Sequence, residues 1–242
     1  MLDKSVGSEK PNSSEICPGP GFMVRQTIDR LPRALIQGFA EFESTDISDA
    51  MNRMYAMGSQ IHNLVNDAPL VGQVCTVKVY PGDNLMVHKV LDIAQPGDVV
   101  VIDGSGNMNA AILGDLVSNK ARHRGIAGFI IDGLVRDLPG LKKCGLPIYA
   151  KGVTPFGPLH RGPGEINFPV SCGGIVVNPG DIVRADPNGV TAIPRLFAAE
   201  ILNRLNAARE SQMAYVASVI NGDFSNEWVD RQLNATGCVM YE

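Results

Sequence analysis

The chain alternates short apolar runs with turns rich in glycine and proline, a pattern typical of many strands joined by tight connections. The clearest run, residues 71–80, carries β-branched side chains at both alternating sets of positions. This predicts a strand that is buried partly on both faces. The strands predicted on these grounds are 71–80, 99–103, 128–131, 148–153, 174–177, 182–185 and 190–193.

Segments with apolar residues at helical spacing lie between these strands. Thr45 and Asp46 are candidate caps for one helix, and Pro194 suits the first position of another. The predicted helices are 33–42, 46–57, 85–94, 110–124 and 194–221. This order of strands and helices favours an α/β fold, whose chemistry usually lies at the carboxyl ends of the strands.

The ends of the chain differ from its middle. Residues 1–20 close on Cys-Pro-Gly-Pro and have the composition of a tail. Residues 21–221 are predicted to form one domain, and residues 222–242, which include Trp228, a C-terminal arm that packs on another surface. The expected fold is therefore a single α/β domain with N- and C-terminal helical arms.

Composition excludes several classes of protein. The 242 residues are 45% hydrophobic and 19% charged, with a net charge of -4. This is too apolar for a disordered chain and too acidic for a protein that binds a phosphate backbone, so no nucleic-acid partner is expected. No apolar run approaches the roughly 20 residues of a membrane span, and no leader-like segment opens the chain. A cytoplasmic protein without a membrane partner is expected.

Several common functional motifs are missing from the sequence. The glycines at 104 and 106 lack the third glycine of a dinucleotide-binding loop, and no phosphate loop, nucleophile elbow or HExxH occurs. The four histidines lack ligand-like spacing, so any metal should be a hard ion with oxygen ligands. The five cysteines form no CxxC pair and are expected as reduced thiols without a nucleophilic role.

Two similar turns are predicted to be structural. Pro-Gly-Asp occurs at residues 96–98 and again at 179–181, each time before a short strand that ends in aspartate. Asp98 and Asp181 are therefore expected to accept backbone hydrogen bonds within turns and not to bind metal. His88, on the helix predicted at 85–94, is expected to be a core or surface imidazole in preference to a site residue.

The most informative constellation is Gly114-Asp115 near a helix start, followed after twenty residues by Arg136-Asp137 at a strand end. A helix N-terminus offers free backbone N–H groups to an anion. Arg136 can bind a carboxylate through two parallel hydrogen bonds. Asp137 can hold a divalent cation that a 2-oxo acid chelates. These residue types in this pattern predict a site for a small α-keto acid.

Residues 82–138, with their PGDVVVIDG and GIAGFIIDGLVRD segments, resemble the RraA-like family, and so do residues 169–194. That family includes the class II 4-hydroxy-4-methyl-2-oxoglutarate/4-carboxy-4-hydroxy-2-oxoadipate aldolases. The resemblance covers about residues 30–210 and preserves the D-x20-R-D spacing of those aldolases. It implies a layered β/β/α fold like that of swivelling domains, assembled as a homotrimer or a dimer of trimers with sites at subunit clefts.

The resemblance also implies roles for individual residues. Asp137 would be the direct ligand of Mg²⁺ or Mn²⁺, and Asp115 would hold a metal-bound water that acts as a base. Arg136 would bind the pyruvyl end of the substrate, and the backbone amides around Leu116 and Val117, next to Gly114, would take its other carboxylate oxygen. Gly140 occupies a position where many of these aldolases carry an acidic residue, so the second metal shell and the exact substrate stay open.

The function expected from this resemblance is a divalent-metal-dependent lyase that releases pyruvate, with oxaloacetate decarboxylation as a side activity. One alternative mechanism is a Schiff base on Lys120 or Lys151. Alternative functions are an RraA-type regulator that binds a ribonuclease and a related lyase for another 2-oxo acid. Candidates for a residue that completes a neighbouring subunit's site are Glu165, Glu200 and Glu210, although a solvated surface role is favoured for each.

Overall fold

A mixed sheet organises the computed structural model, which describes residues 15–241; most of the predicted tail, 1–20, lies outside this range. The strands are β1 (Phe22–Val24), β2 (His62–Asn63), β3 (Leu70–Val79), β4 (Val99–Leu113), β5 (Gly128–Val135), β6 (Ile148–Val153), β7 (Gly164–Ile166), β8 (Val170–Cys172), β9 (Ile175–Val177), β10 (Ile182–Asp186) and β11 (Gly189–Ile193).

The main sheet has the order β1-β7-β3-β4-β5-β6-β2, and its four central strands, β3 to β6, run parallel. β3 belongs to two layers: its first half pairs with β10, which also pairs with β11, and its second half pairs with β4 and β7. β8 and β9 form a separate antiparallel pair.

Seven α-helices accompany the strands in the described part of the chain. They are α1 (Arg33–Gly38), α2 (Ser44–Ala50), α3 (Leu85–Val90), α4 (Asp115–His123), α5 (Leu138–Cys144), α6 (Ala198–Ile220) and α7 (Glu227–Thr236). Among residues 15–241, no helix combines the length and apolarity that crossing a membrane requires.

The central strands bury both faces, and alternate residues enter two separate cores. On one face, Val100, Ile102 and Ile131 pack with Val87 of α3 and Val117 of α4. The opposite face belongs to the second core, whose members include Val99, Val101, Ile130, Val170 and Val183. Each fully buried side chain of this size contributes about 1.5–3 kcal/mol of hydrophobic free energy. The result is a sheet, a second β layer and a helical layer, which confirms the layered β/β/α prediction.

The predicted helix 110–124 is wrong over its first residues. Residues up to Leu113 continue β4, and Leu113 pairs with Val135 of β5. Ala111, Ile112 and Leu113 are almost fully buried there. Irregular register between Asp103 and Leu113 allows β4 to stay paired with a shorter neighbour. Helix α4 begins only at Asp115, because pairing with β5 outweighs the local helical pattern.

The predicted helix 46–57 is also shorter than expected. It spans Ser44–Ala50, and the chain then turns through Asn52 and Arg53, whose φ angles are 57° and 64°. Beyond the turn, the Met57 N–H donates to the Val190 carbonyl at 2.9 Å. Contact with β11 therefore ends the helix. The predicted helix 33–42 is likewise divided into α1 and a 3₁₀ turn at Phe39–Glu41.

The chain divides into two compact units, the first extending to Leu202 and the second comprising Asn203–Glu242. The first unit contains every strand described above. The second contains most of α6 together with α7. The domain limits predicted from sequence, 21–221 and 222–242, stay predictions.

The two Pro-Gly-Asp turns are structural, as expected. The Asp98 carboxylate accepts a hydrogen bond from the Gln95 N–H at 2.7 Å, and Asp181 accepts one from Asn178 at 2.9 Å. Asp98 is 2% exposed, and its carboxylate also accepts hydrogen bonds from both terminal nitrogens of Arg30. Arg30 Nη2 lies 2.9 Å from Asp98 Oδ2. These contacts link the N-terminal segment to the start of β4.

Asp98→Asn should lower the free energy of unfolding by about 1–2 kcal/mol, because the buried Asp98 carboxylate loses the charge that accepts hydrogen bonds from Gln95 N–H and from the part-exposed Arg30 guanidinium. Urea denaturation would measure this change. Asp49→Asn is the matched control, since Asp49 pairs with Arg53 on the surface and should cost less than about 0.5 kcal/mol. Equal small effects of the two substitutions would contradict a structural role for Asp98.

Candidate active site

The ends of β4 and β5 place the two parts of the predicted motif side by side. Because Leu113 pairs with Val135, Gly114 and Arg136 leave the sheet at the same edge. The Arg136 N–H donates to the Leu113 carbonyl at 3.0 Å. Asp137 follows in a left-handed conformation, with φ of 58°, and directly precedes α5. Strand pairing thus brings together residues that are more than twenty positions apart.

Gly114 is needed for this close approach. Its backbone is extended, with φ of -139° and ψ of -163°, a conformation that other residues adopt readily. A Cβ at this position, however, would overlap Asp137 Oδ2 and lie 3.0 Å from Arg136 Cγ. The missing side chain therefore lets the Asp137 carboxylate lie beside the N-terminus of α4.

A cavity of about 180 Å³ opens at this edge of the sheet. At roughly 30 Å³ per liquid water, it has the volume of about six water molecules, which suits a small organic acid. Four residues that the sequence assigned to substrate binding line it, namely Gly114, Leu116, Val117 and Arg136, and so does the proposed metal ligand Asp137.

Asp115 is not part of the cavity wall. Its carboxylate faces Gly140, where a Cβ would lie only 2.5 Å from Asp115 Oδ2. Gly140 therefore leaves the space that Asp115 occupies, and an acidic side chain at position 140 would compete for it. The role expected for Asp115, holding a metal-bound water, stays a prediction.

Arg136 and Asp137 are accessible to a ligand. Their side chains are 42% and 46% exposed, and Arg136 Nε lies 3.3 Å from Asp137 Oδ2. An ion pair this exposed contributes little to stability, and both groups stay open to solvent. The backbone of Gly157 packs against the guanidinium, since a Cβ there would overlap Nη1.

The cavity lining also contains side chains that sequence reasoning did not place in the site. They are Asn84 and His88 near α3, and Pro158 and His160 on the loop after β6. The two imidazole rings meet edge to face, with centroids 5.5 Å apart. Burial lowers the pKa of His88, and the nearby Lys120 and His160 lower it further. The glycine- and proline-rich loop near residue 160 was the available cue, but its contact with α3 is tertiary.

The two lysines considered for a Schiff base have different surroundings. Lys151 forms an ion pair with Asp132, and the two side chains are 16% and 13% exposed. Lys120 lies on α4 and lines the cavity. Lys120 is therefore the one of these two lysines that is available to a bound molecule.

Of the carboxylates considered for a neighbouring subunit's site, Glu165 accepts a hydrogen bond from the Gly21 N–H at 2.7 Å.

The donor set suits a hydrated hard cation. Within residues 15–241, no three His, Cys, Asp or Glu side chains form a metal-binding group, and Asp137 is the carboxylate that reaches the cavity. Mg²⁺ usually keeps several waters and binds proteins through one or two carboxylates. The residues present fit such an ion and do not form a closed zinc site.

A family model described as "RraA-like: Aldolase/RraA" matches residues 44–192. A protein of Halalkalibacterium halodurans named "Putative 4-hydroxy-4-methyl-2-oxoglutarate aldolase" is 42% identical over 169 residues, which cover 70% of this chain and 80% of that protein. The fold and the cavity edge thus define an α/β protein of the aldolase and RraA class. The chain belongs to the RraA-like family.

Solved structures share the architecture. The RNA-processing inhibitor RraA from Thermus thermophilis is 31% identical, with a TM-score of 0.59, and the match covers 63% of this chain and 93% of that one. A Streptomyces coelicolor member of the RNase ES inhibitor RraA family is 25% identical, with a TM-score of 0.71 and coverage of 78% and 99%.

Native thiol reactivity should be confined to Cys17 and Cys238, which are exposed, whereas Cys75, Cys144 and Cys172 are buried. Burial and the adjacent Asp98 raise the pKa of Cys75 to about 12, and burial with Asp132 raises the pKa of Cys172 further. Since the thiolate is the reactive form, titration with dithionitrobenzoate should count two fast thiols natively and five in denaturant. Cys17→Ser should remove one fast thiol, and fast labelling of Cys75 would contradict the expectation.

Proposed function

We propose that this protein is a lyase that cleaves a carbon–carbon bond of a small 2-oxo acid and releases pyruvate, with 4-hydroxy-4-methyl-2-oxoglutarate as the substrate type. The observation that carries the proposal is the convergence of Arg136, Asp137 and the N-terminus of α4 on one small cavity. The name of the Halalkalibacterium halodurans relative supports this substrate class.

The 2-oxo acid end of the substrate binds at the Arg136 side. The guanidinium donates two parallel hydrogen bonds to the carboxylate. The backbone N–H groups of Leu116 and Val117, in the first turn of α4, have no partner within the helix and donate to the remaining carboxylate oxygen. The Arg136 guanidinium lies next to the Asp137 carboxylate and offsets the repulsion between that carboxylate and the substrate anion.

A divalent cation, Mg²⁺ or Mn²⁺, is part of the proposal. Asp137 would hold it directly and Asp115 would hold one of its waters. When bound, the cation supplies a Lewis acid for the 2-oxo group. The protein's own contribution is to fix the substrate carboxylate against Arg136 and the N-terminus of α4, in a cavity that His88 and His160 also line.

The difficult step is the formation of an enolate as the carbon–carbon bond breaks. Negative charge then moves to the 2-oxo oxygen, beside the positive charge of Arg136. Oxaloacetate decarboxylation passes through the same enolate, which is why we include it as a side activity. A lyase for another 2-oxo acid would use the same groups at the 2-oxo acid end and different residues around the rest of the substrate.

The proposal includes an assembly in which a neighbouring chain completes the site, as a homotrimer or a dimer of trimers. Leu116 at the cavity, and Phe156 and Leu159 on the loop that carries His160, are 73%, 67% and 58% exposed. Apolar side chains exposed together in this way are typical of surfaces that bind protein. An RraA-type regulator would also present such a surface, but it would not require Arg136 and Asp137 beside a cavity.

Pyruvate release from 4-hydroxy-4-methyl-2-oxoglutarate and from oxaloacetate should require Mg²⁺ and stop in EDTA. Asp137→Asn should lower kcat/KM by at least about 100-fold, because the proposed ligand loses its charge. A coupled lactate dehydrogenase assay would measure both. Asp92→Asn, which changes an exposed surface ion pair, is the control.

Two results would contradict parts of this proposal. Full activity in EDTA, with a borohydride-trapped adduct on Lys120, would replace the metal-dependent mechanism by a Schiff base. No pyruvate from either substrate would overturn the lyase and favour a regulator.

Arg136→Lys should reduce kcat/KM for both substrates by about 10- to 100-fold, since an ammonium cannot make the two parallel hydrogen bonds of a guanidinium. Most of the change should appear in KM if the interaction serves binding alone, and in kcat if it also stabilises the enolate. Steady-state kinetics would separate these cases. Arg124→Lys, at an exposed pair with Asp92, should stay within about twofold of the parent, and an equally small effect at Arg136 would exclude two-point carboxylate binding.

A further inference from the structure

The orientation of the Asn84 side chain is determined by its surroundings. Asn84 is 2% exposed, and its Nδ2 donates to the Ile112 carbonyl at 2.8 Å. A carbonyl oxygen can only accept, so the amide nitrogen must face Ile112. The Asn84 Oδ1 therefore faces the other way, where it lies 2.6 Å from His160 Nδ1.

This contact determines which nitrogen of His160 carries the proton. An amide oxygen accepts hydrogen bonds, so His160 Nδ1 must be the donor. In the neutral ring the other nitrogen, Nε2, then has a free lone pair. Asn84 thus holds His160 in the tautomer that can accept a proton through Nε2.

Backbone contacts hold the segment around His160 in place. The Phe156 carbonyl accepts from the Ala111 N–H at 2.8 Å, and the Leu159 N–H donates to the Gly82 carbonyl at 2.7 Å. The Arg161 N–H donates to the Asp83 carboxylate. Because hydrogen bonds flank His160 on both sides, its position does not depend on a free loop.

His160 shares the cavity with the groups that bind the 2-oxo acid. Gly157, three residues earlier, packs against the Arg136 guanidinium. The charged and titratable groups around the cavity are His88 on α3, Lys120 on α4, and Arg136 and Asp137 after β5. The Asp83 carboxylate accepts hydrogen bonds from the backbone N–H groups of Leu85 and Arg161. His160 thus combines cavity access with a determined tautomer, whereas Asp115 lies outside the cavity wall.

We infer that His160 is a catalytic residue that removes the proton of the C4 hydroxyl in aldol cleavage. This inference rests on the proposed function. Nε2 takes the C4 hydroxyl proton while the C3–C4 bond breaks. The hydroxyl oxygen becomes the carbonyl of the second 2-oxo acid, and the electron pair of the broken bond forms the enolate. The imidazolium returns its proton to water, and the enolate carbon takes one from water to give pyruvate.

The test compares two substrates in His160→Gln. Glutamine keeps a polar amide of similar length but cannot accept a proton at neutral pH. Aldol cleavage should fall about 100-fold or more in kcat, the usual contribution of a general base. Oxaloacetate decarboxylation, in which no hydroxyl proton is removed, should stay within about threefold. Added imidazole should restore part of the aldol rate only. The control, His62→Gln, alters an exposed ring on β2 and should change neither rate.

The outcomes separate this inference from the proposed function. Equal losses on both substrates, or an unchanged aldol rate, would overturn the role of His160 while leaving the lyase intact. Failure of the unsubstituted protein to release pyruvate from either substrate would overturn the lyase itself. Nitrogen-15 NMR of the imidazoles gives a readout without turnover: the resting protein should show His160 protonated at Nδ1, and an Nε2–H tautomer would overturn the inference.

Discussion

The parallel pairing of β4 with β5 is the constraint on which the rest of the site depends. It continues to Leu113 and Val135, so both strands end at the same level and release Gly114 and Arg136 side by side. Both strands are buried between two apolar cores, and slipping the register by one residue would exchange the faces of every side chain. The hydrophobic energy of the two cores therefore also maintains the geometry of the polar cavity edge.

Three glycines provide the space for the charged groups at this edge. A Cβ would collide with Asp137 at Gly114, with Asp115 at Gly140 and with Arg136 at Gly157. In each case a small residue on one element faces a charged side chain from another, so the charges approach without a burial cost. This arrangement leaves Arg136 and Asp137 nearly half exposed and available to a ligand.

Two groups of residues with different chemistry line the cavity. The first group, at the start of α4 and the end of β5, presents backbone N–H groups, a guanidinium and a carboxylate, which suit an anion with an adjacent oxo group. The second group presents imidazoles: burial lowers the pKa of His88, and Asn84 orients the ring of His160. In the proposed function, anion binding and proton transfer are thereby assigned to different elements, which meet where Gly157 packs against the Arg136 guanidinium.

The sequence by itself determined the α/β class, the two Pro-Gly-Asp turns and the residues of the Gly114-Asp115 and Arg136-Asp137 motif, because alternation, turn chemistry and motif spacing can be read along the chain. The layered arrangement was expected only from the family resemblance. Local pattern failed at residues 110–113, where pairing with β5 extends a strand, and after Ala50, where contact with β11 ends a helix. Only the tertiary structure decided that Asp115 turns toward Gly140 and that Asn84, His88 and His160 share a cavity with Arg136. Those side chains come from segments far apart in the chain, and their meeting follows from packing and strand order, which no local periodicity records.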